Sequence, residues 1–205
     1  MPHRLDLATG QGDPVYRMEE ILKRTVVVGC SCSGKTSLAA RLAECMRVPH
    51  IELDAIHWQA NWRPLPRNDF REVVRKKAAG DRWVIEGNYE QVRDIVLKRA
   101  TAVIWLNYRF PTVFGRALSR TFRRFITRER LFNDNRESFR NTFLSRESIL
   151  LWVIKTHGPR KREYRGMFEG ETYPHLEVVE CTKPRDANAF LRLLEEGPHS
   201  EVVQK

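Results

Sequence analysis

Apolar positions in this chain gather into short continuous runs, separated by longer stretches at helical spacing. Thr25-Val26-Val27-Val28 is a β-branched run that stops at Gly29, and Ser37 to Met46 then carries Leu38, Leu42, Cys45 and Met46 at helical intervals. The same alternation returns at His50 to Leu53, Trp83 to Ile85, Ala102 to Leu106 and Leu176 to Val179. Runs without period-two alternation suit strands covered by helices on both faces, so the pattern predicts an α/β fold with a five-stranded parallel sheet. Residues 1–22 read as a loose arm, 23–197 as one domain and 198–205 as a polar tail. A mostly helical insert, 111–170, lies between the fourth and fifth strands.

The segment joining the first strand to the first strong helix is Gly29-Cys30-Ser31-Cys32-Ser33-Gly34-Lys35-Thr36, followed by Ser37. It fits G-x-x-x-x-G-K-[ST], the Walker A pattern, in the strand-to-helix setting the motif requires. Glycines let backbone N–H groups turn inward around a β-phosphate, and the next helix aims its positive dipole end at the same anion. In this arrangement Lys35 bridges β- and γ-oxygens and Thr36 offers a hydroxyl to Mg²⁺. ATP and Mg²⁺ are therefore the expected cofactors.

Ligands of open α/β sheets sit beyond the carboxyl ends of the strands, where three acids stand. Glu52 and Asp54 end the second run two positions apart, hence on one side of an extended chain. Asp54 is the candidate to orient or deprotonate an acceptor hydroxyl. Glu52 and Glu86, which follows the third run, are the candidate metal-side carboxylates. His57, Trp58, Glu86, Asn88, Tyr89 and Arg93 complete the candidate acceptor site.

Within the insert, Phe114, Ala117, Leu118, Phe122 and Phe125 form an apolar stripe, with Arg116, Arg120, Arg123 and Arg124 on the opposite side. Guanidinium groups match phosphoryl oxygens, which makes Arg120 and Arg124 candidate catalytic groups on a closing lid and Arg136 a candidate substrate contact. A nucleic-acid face and a solvated surface are the competing readings of the same residues.

The net charge of +10 calls for an anionic partner without naming one. No zinc finger, aromatic RNA-binding strand or helix-turn-helix is visible, so nucleic acid stays an alternative without a motif. The segment Met1 to Gly12 is too polar for a signal peptide and no apolar run is long enough to span a membrane, so a cytoplasmic location is expected. Cys30, Cys32, Cys45 and Cys181 complete no zinc set and read as reduced thiols.

Four segments together carry a resemblance: the Walker A loop; His50-Ile-Glu-Leu-Asp54-Ala-Ile-His57-Trp58 with Asn61-Trp62 and Pro64; Glu86-Gly-Asn-Tyr89; and Asn133-Asp-Asn135-Arg136-Glu137-Ser138. In these the chain resembles the adenylate-kinase-like P-loop proteins called topology modulation proteins of the FlaR type, over about residues 24 to 195. The resemblance implies strand order 2-3-1-4-5, an ATP-dependent kinase core, a lid between strands four and five, and an acid pair on strand two, here Glu52 and Asp54, that serves metal and substrate. It also implies adenine contacts after strand five, at Pro184 and Arg185. Three departures stand out. Glu86 takes the place of an expected aspartate, Asn107 stands at the end of strand four where a Walker B aspartate would, and Gly87-Asn88-Tyr89 replaces the Asp-Gly-x-Pro-Arg of nucleoside-monophosphate kinases. The expected function is phosphoryl transfer from MgATP to a small acceptor, a nucleoside, nucleotide or hydroxylated metabolite. The alternative is an ATPase coupled to a nucleic-acid or protein partner, as the topology-modulation name suggests.

Overall fold

Alternate residues of the first strand divide the core in two, because successive side chains of a strand point to opposite faces. In the computed structural model, which describes residues 14–127, 149–170 and 172–196, strand β1 runs Arg24–Gly29. Val27 joins one core, and Val26 and Val28 join the other. The first core packs β1 against helices α1 (Pro14–Leu22), α2 (Lys35–Met46) and α8 (Pro184–Glu195). The second packs it against α4 (Arg67–Lys77) and α5 (Glu90–Arg99). This is a three-layer α/β fold.

The sheet is completed by β2 (His50–Glu52), β3 (Trp83–Glu86), β4 (Ala102–Leu106) and β5 (Glu177–Cys181), in the order β2-β3-β1-β4-β5 with every pairing parallel. Strand count, direction and order agree with the expectation. The central strands β3 and β4 are buried along their whole length, which accounts for their unbroken apolar runs. Phe70 of α4 and Trp83 of β3 are among the largest fully buried side chains, and the Trp83 indole N–H donates to the Ala78 carbonyl at 3.2 Å. Truncating either to alanine is expected to cost about 3–5 kcal/mol.

Several local readings change. Residues 14–22, within the stretch read as a loose arm, form α1, with Met18 and Leu22 buried in the first core. Strand β2 stops at Glu52, and the chain turns at once into the short helix α3 (Leu53–His57), so Asp54 sits on a helical turn and not on the strand with Glu52. The turn is drawn inward by Leu53, which is 3% exposed and packs over Gly87. Strand β5 begins one residue later than expected and runs on through Cys181, whose side chain is buried.

In the insert, α6 (Phe110–Thr127) and α7 (Ile149–Glu169) are helical as expected. The buried edge of α6 is Val113, Ala117 and Thr121, while Leu118 and Phe122 of the expected apolar stripe are exposed. Helix α7 touches both layers: Val153 joins the first core, Tyr164 and Phe168 the second. Residues 128–148, with Arg136, and the tail 198–205 lie outside the described residues. Among the described residues no helix is long and apolar enough to cross a membrane.

Candidate active site

The loop between β1 and α2 has the backbone its sequence demands. Gly34 is at φ 97° and Cys32 at φ 63°, left-handed values that bend the chain back on itself, and Ser33 N–H donates to Cys30 O at 3.2 Å. Gly29 is at φ 151°, and a Cβ there would lie 2.9 Å from Leu106 Cβ, Leu106 O and Ser33 Oγ. Lys35 opens α2 and folds back over the loop, its Nζ donating to Cys30 O at 3.3 Å. The Ser33 hydroxyl is buried and has no protein partner, an orphan polar group inside the Walker A loop.

Carboxylates face this loop from the neighbouring strands. Glu86 ends β3, is 1% exposed, and accepts the Thr36 hydroxyl at 2.8 Å. Glu52 is its register partner on β2. Burial pushes the Glu86 carboxyl above the usual range, the charges of Asp54 and Glu52 push the same way, and Lys35 and Thr36 oppose them. Among the described residues no three His, Cys, Asp or Glu side chains form a ready metal cage. The Thr36 hydroxyl with one or two carboxylates is nevertheless the oxygen-only donor set that suits Mg²⁺, which completes its shell with water and phosphate.

Thr36, Glu52, Asp54 and Glu86 open onto one cavity of about 970 Å³. Its opposite wall is α6, which supplies Arg116, Arg120 and Arg123. Arg116 reaches furthest: its Nη1 donates to Ser33 O at 2.6 Å and its guanidinium lies 5.3 Å from the centre of the Tyr108 ring. Arg120 Nη1 is 4.0 Å from Cys32 Sγ. Arg124 is on the same helix with its side chain outside the described part, as is all of Arg136. The sequence reading placed Arg116 on the basic face without a catalytic role; its position four residues before Arg120 was the available signal.

The third wall is α8, through Pro184, Ala187, Asn188 and Leu191. Arg185 is exposed on the same turn and is not part of the lining. The spacing 184, 187, 188, 191 marks one helix face, so the extra three residues were readable once Pro184 was chosen. The turn before α8 is held by Asp186, whose carboxylate accepts from Thr182 N–H, the Thr182 hydroxyl and Lys183 N–H at 2.9, 3.0 and 2.8 Å. At the end of β4, Asn107 is buried and its amide donates to Glu180, so no acid comes from that strand end.

The candidate acceptor residues divide. Asp54 and Glu86 line the cavity, while Asn88, Tyr89 and Arg93 are absent from its lining and border a separate void of about 20 Å³. Each has a protein partner. Tyr89 donates its hydroxyl to Asp54 Oδ1 at 2.6 Å, and burial keeps that hydroxyl protonated by raising its pKa. Asn88 bonds the backbone of Gly29, and Arg93 pairs with Glu163 of α7 at 2.7 Å. His57 is 7% exposed and packs against Trp58, Phe70 and Tyr89, with ring centres 4.8, 5.0 and 4.6 Å away. Burial lowers its pKa and favours the neutral ring. Trp58 in turn meets Trp62 edge-on at 5.7 Å.

No protein-family model matches the chain, and no curated protein matches it. Solved structures do. A gluconokinase from Sinorhizobium meliloti 1021 is 23% identical with a TM-score of 0.48, the match covering 85% of this chain and 95% of that one. A shikimate kinase from Bacteroides thetaiotaomicron is 16% identical with a TM-score of 0.49, covering 84% and 96%. A sugar kinase from Janibacter sp. HTCC2649 is 19% identical with a TM-score of 0.44, covering 85% and 95%.

Proposed function

We propose that this chain is a P-loop kinase that binds MgATP and transfers the γ-phosphoryl group to a hydroxyl of a small acceptor beside Asp54. The observation that carries this reading is that one cavity joins a Walker A loop, three carboxylates and an arginine face. Backbone N–H groups of 30–36 and Lys35 hold the β- and γ-phosphates, and the base lies along Pro184, Ala187 and Asn188. Thr36, Glu86 and Glu52 are the residues that would hold Mg²⁺, which when bound offsets phosphate charge.

Asp54 accepts the hydrogen bond of the acceptor hydroxyl and takes its proton as the acceptor oxygen bonds the γ-phosphorus. The bond from that phosphorus to the β–γ bridging oxygen breaks, and ADP leaves with the electron pair. Arg116 and Arg120 stabilise the charge on the transferring group, with Arg124 and Arg136 as further cations of the insert. The protein would work in the cytoplasm on ATP and a nucleoside, nucleotide or hydroxylated metabolite.

The test is transfer of labelled γ-phosphate from ATP, with Mg²⁺, to a panel of nucleosides, nucleotides, sugars and hydroxylated metabolites, comparing the wild type with Lys35→Ala and Asp54→Asn. A product lost in both variants supports the kinase. Absence of any labelled acceptor, together with ATP hydrolysis that nucleic acid accelerates and salt suppresses, replaces it with a coupled ATPase.

A further inference from the structure

Strand β3 leaves the sheet before its partner does. The last register pair of β1 and β3 is Val27 with Glu86, and Gly87 N–H still reaches Val27 O at 3.4 Å. One step further, Gly29 would face Asn88, but the chain has turned toward α5. The edge of Gly29 that looks at β3 is completed by the Asn88 side chain. Its Nδ2 donates to Gly29 O at 2.6 Å, and its Oδ1 accepts Gly29 N–H at 3.4 Å. A primary amide has the donor and acceptor pair that a strand backbone would have presented there.

The same Oδ1 accepts a second hydrogen bond, from the Tyr164 hydroxyl at 2.7 Å. Tyr164 belongs to α7, 76 residues further along the chain. Its ring is 2% exposed, stacked on Phe168 at 5.5 Å and edge-on to Trp105 at 6.2 Å, so the hydroxyl is aimed by packing. The Glu163–Arg93 ion pair anchors the neighbouring residue of α7 to α5. Gly29 in turn is the pivot of the phosphate loop, at a φ only glycine adopts readily and in contact with Ser33 and Leu106.

We propose that Asn88 and Tyr164 are positioning residues for the phosphate loop: Asn88 clamps Gly29 at both backbone groups, and Tyr164 of the insert holds the clamp in place. The inference rests on the P-loop reading for its effect on ATP, and it concerns residues that do not line the cavity in which the Walker A loop lies. Through it the second helix of the insert sets the stiffness of the loop that binds ATP, linking a segment between β4 and β5 to the start of α2. Rigid placement of inward N–H groups before the anion arrives is what gives such a loop its affinity.

The test uses the full chain with Tyr164→Phe, which keeps the ring and removes one donor, and Asn88→Asp, which removes the donor to Gly29 O but adds a negative charge beside the loop, so that ATP affinity is read from Tyr164→Phe and Asn88→Asp is read by exchange alone. Amide hydrogen exchange is followed peptide by peptide, ATP affinity by titration and global stability by melting. The expected result is faster exchange confined to residues 29–34 and an ATP Kd raised by about three- to tenfold, the worth of one hydrogen bond, with little change in melting temperature. Unchanged loop exchange in both variants overturns the proposal. So does acceleration spread evenly over β1 and α2 with a lowered melting temperature, which is the mark of ordinary packing. If the wild type binds no ATP, the kinase reading fails on its own, and local exchange at 29–34 still decides whether the clamp exists.

Discussion

Replacing Gly29 by alanine tests the Walker A loop at its most constrained glycine. The added Cβ would lie 2.9 Å from Leu106 Cβ and Leu106 O on β4 and from Ser33 Oγ in the loop, closer than real Cβ contacts allow. Gly29 is also the register partner of Leu106, so relief requires β1 and β4 to part at their carboxyl ends or the loop to open. Overpacking of this kind costs about 1–3 kcal/mol, and holding a non-glycine residue at φ 151° adds on the order of 1–2 kcal/mol. The expected loss is about 3 kcal/mol, or roughly 6–12 °C in melting temperature for a chain of this size.

Gly115→Ala is the internal control. It lies in α6 with nothing within 4 Å of its virtual Cβ, and alanine there should stabilise by about 0.5–1 kcal/mol. Urea unfolding of both variants gives the two differences, and titration with ATP shows whether the loop still binds. A Gly29→Ala protein that unfolds within 1 kcal/mol of the wild type, or binds ATP with undiminished affinity, refutes the argument from loop geometry.

Three further outcomes are expected. Tyr89→Phe removes the donor to Asp54 and should lower the transfer rate about tenfold while leaving ATP affinity alone; an unchanged kcat would detach Tyr89 from the chemistry. A thiol reagent near pH 8 should modify half-buried Cys32 and Cys45 in the native chain, Cys45 more slowly because burial and the nearby Glu195 carboxylate raise its thiol pKa, and spare buried Cys30 and Cys181, the latter pushed up to about 12. Mass spectrometry of the labelled peptides should also show ATP protecting Cys32, which lines the cavity, but not Cys45. Asp94 receives a bidentate hydrogen bond from Arg71, at 2.7 and 2.8 Å, which holds its carboxyl down to about 2. Since the folded value lies below the ordinary aspartate value, the pair stabilises the fold above that ordinary range, and the contribution is lost as pH falls toward 2. Carboxyl NMR should find the Asp94 midpoint near 2 in the wild type and clearly higher in Arg71→Met.

Local pattern carried most of the Walker A region. The β-branched run before Gly29, the glycines at 29 and 34, and the apolar spacing of α2 are each properties of a few neighbouring residues, and the structure has strand, loop and helix where they imply. The unbroken apolar runs of β3 and β4 likewise announced a sheet covered on both faces, because burial on two sides removes the polar alternation. The basic face of α6 was legible for the same reason, as a property of one helix turned on its axis.

Where partners are distant in sequence, pattern misleads. Leu118 and Phe122 extend the apolar stripe of α6, yet Val113, Ala117 and Thr121 are its buried edge, since the rotation of a helix is chosen by what it packs on. Asp54 moved from strand to helix because Leu53 packs over Gly87, 34 positions away. Asn88, Tyr89 and Arg93 look like open substrate groups in sequence, but folding gives each a protein partner, on β1, α3 and α7 respectively. The amino-acid sequence by itself thus determined a parallel α/β chain with a Walker A loop, because glycine conformations and apolar periods are local. Which of the neighbouring polar groups are tied up by protein partners was decided only in the folded chain, where the order β2-β3-β1-β4-β5 brings the end of β3 beside the end of β1 and α7 reaches Asn88.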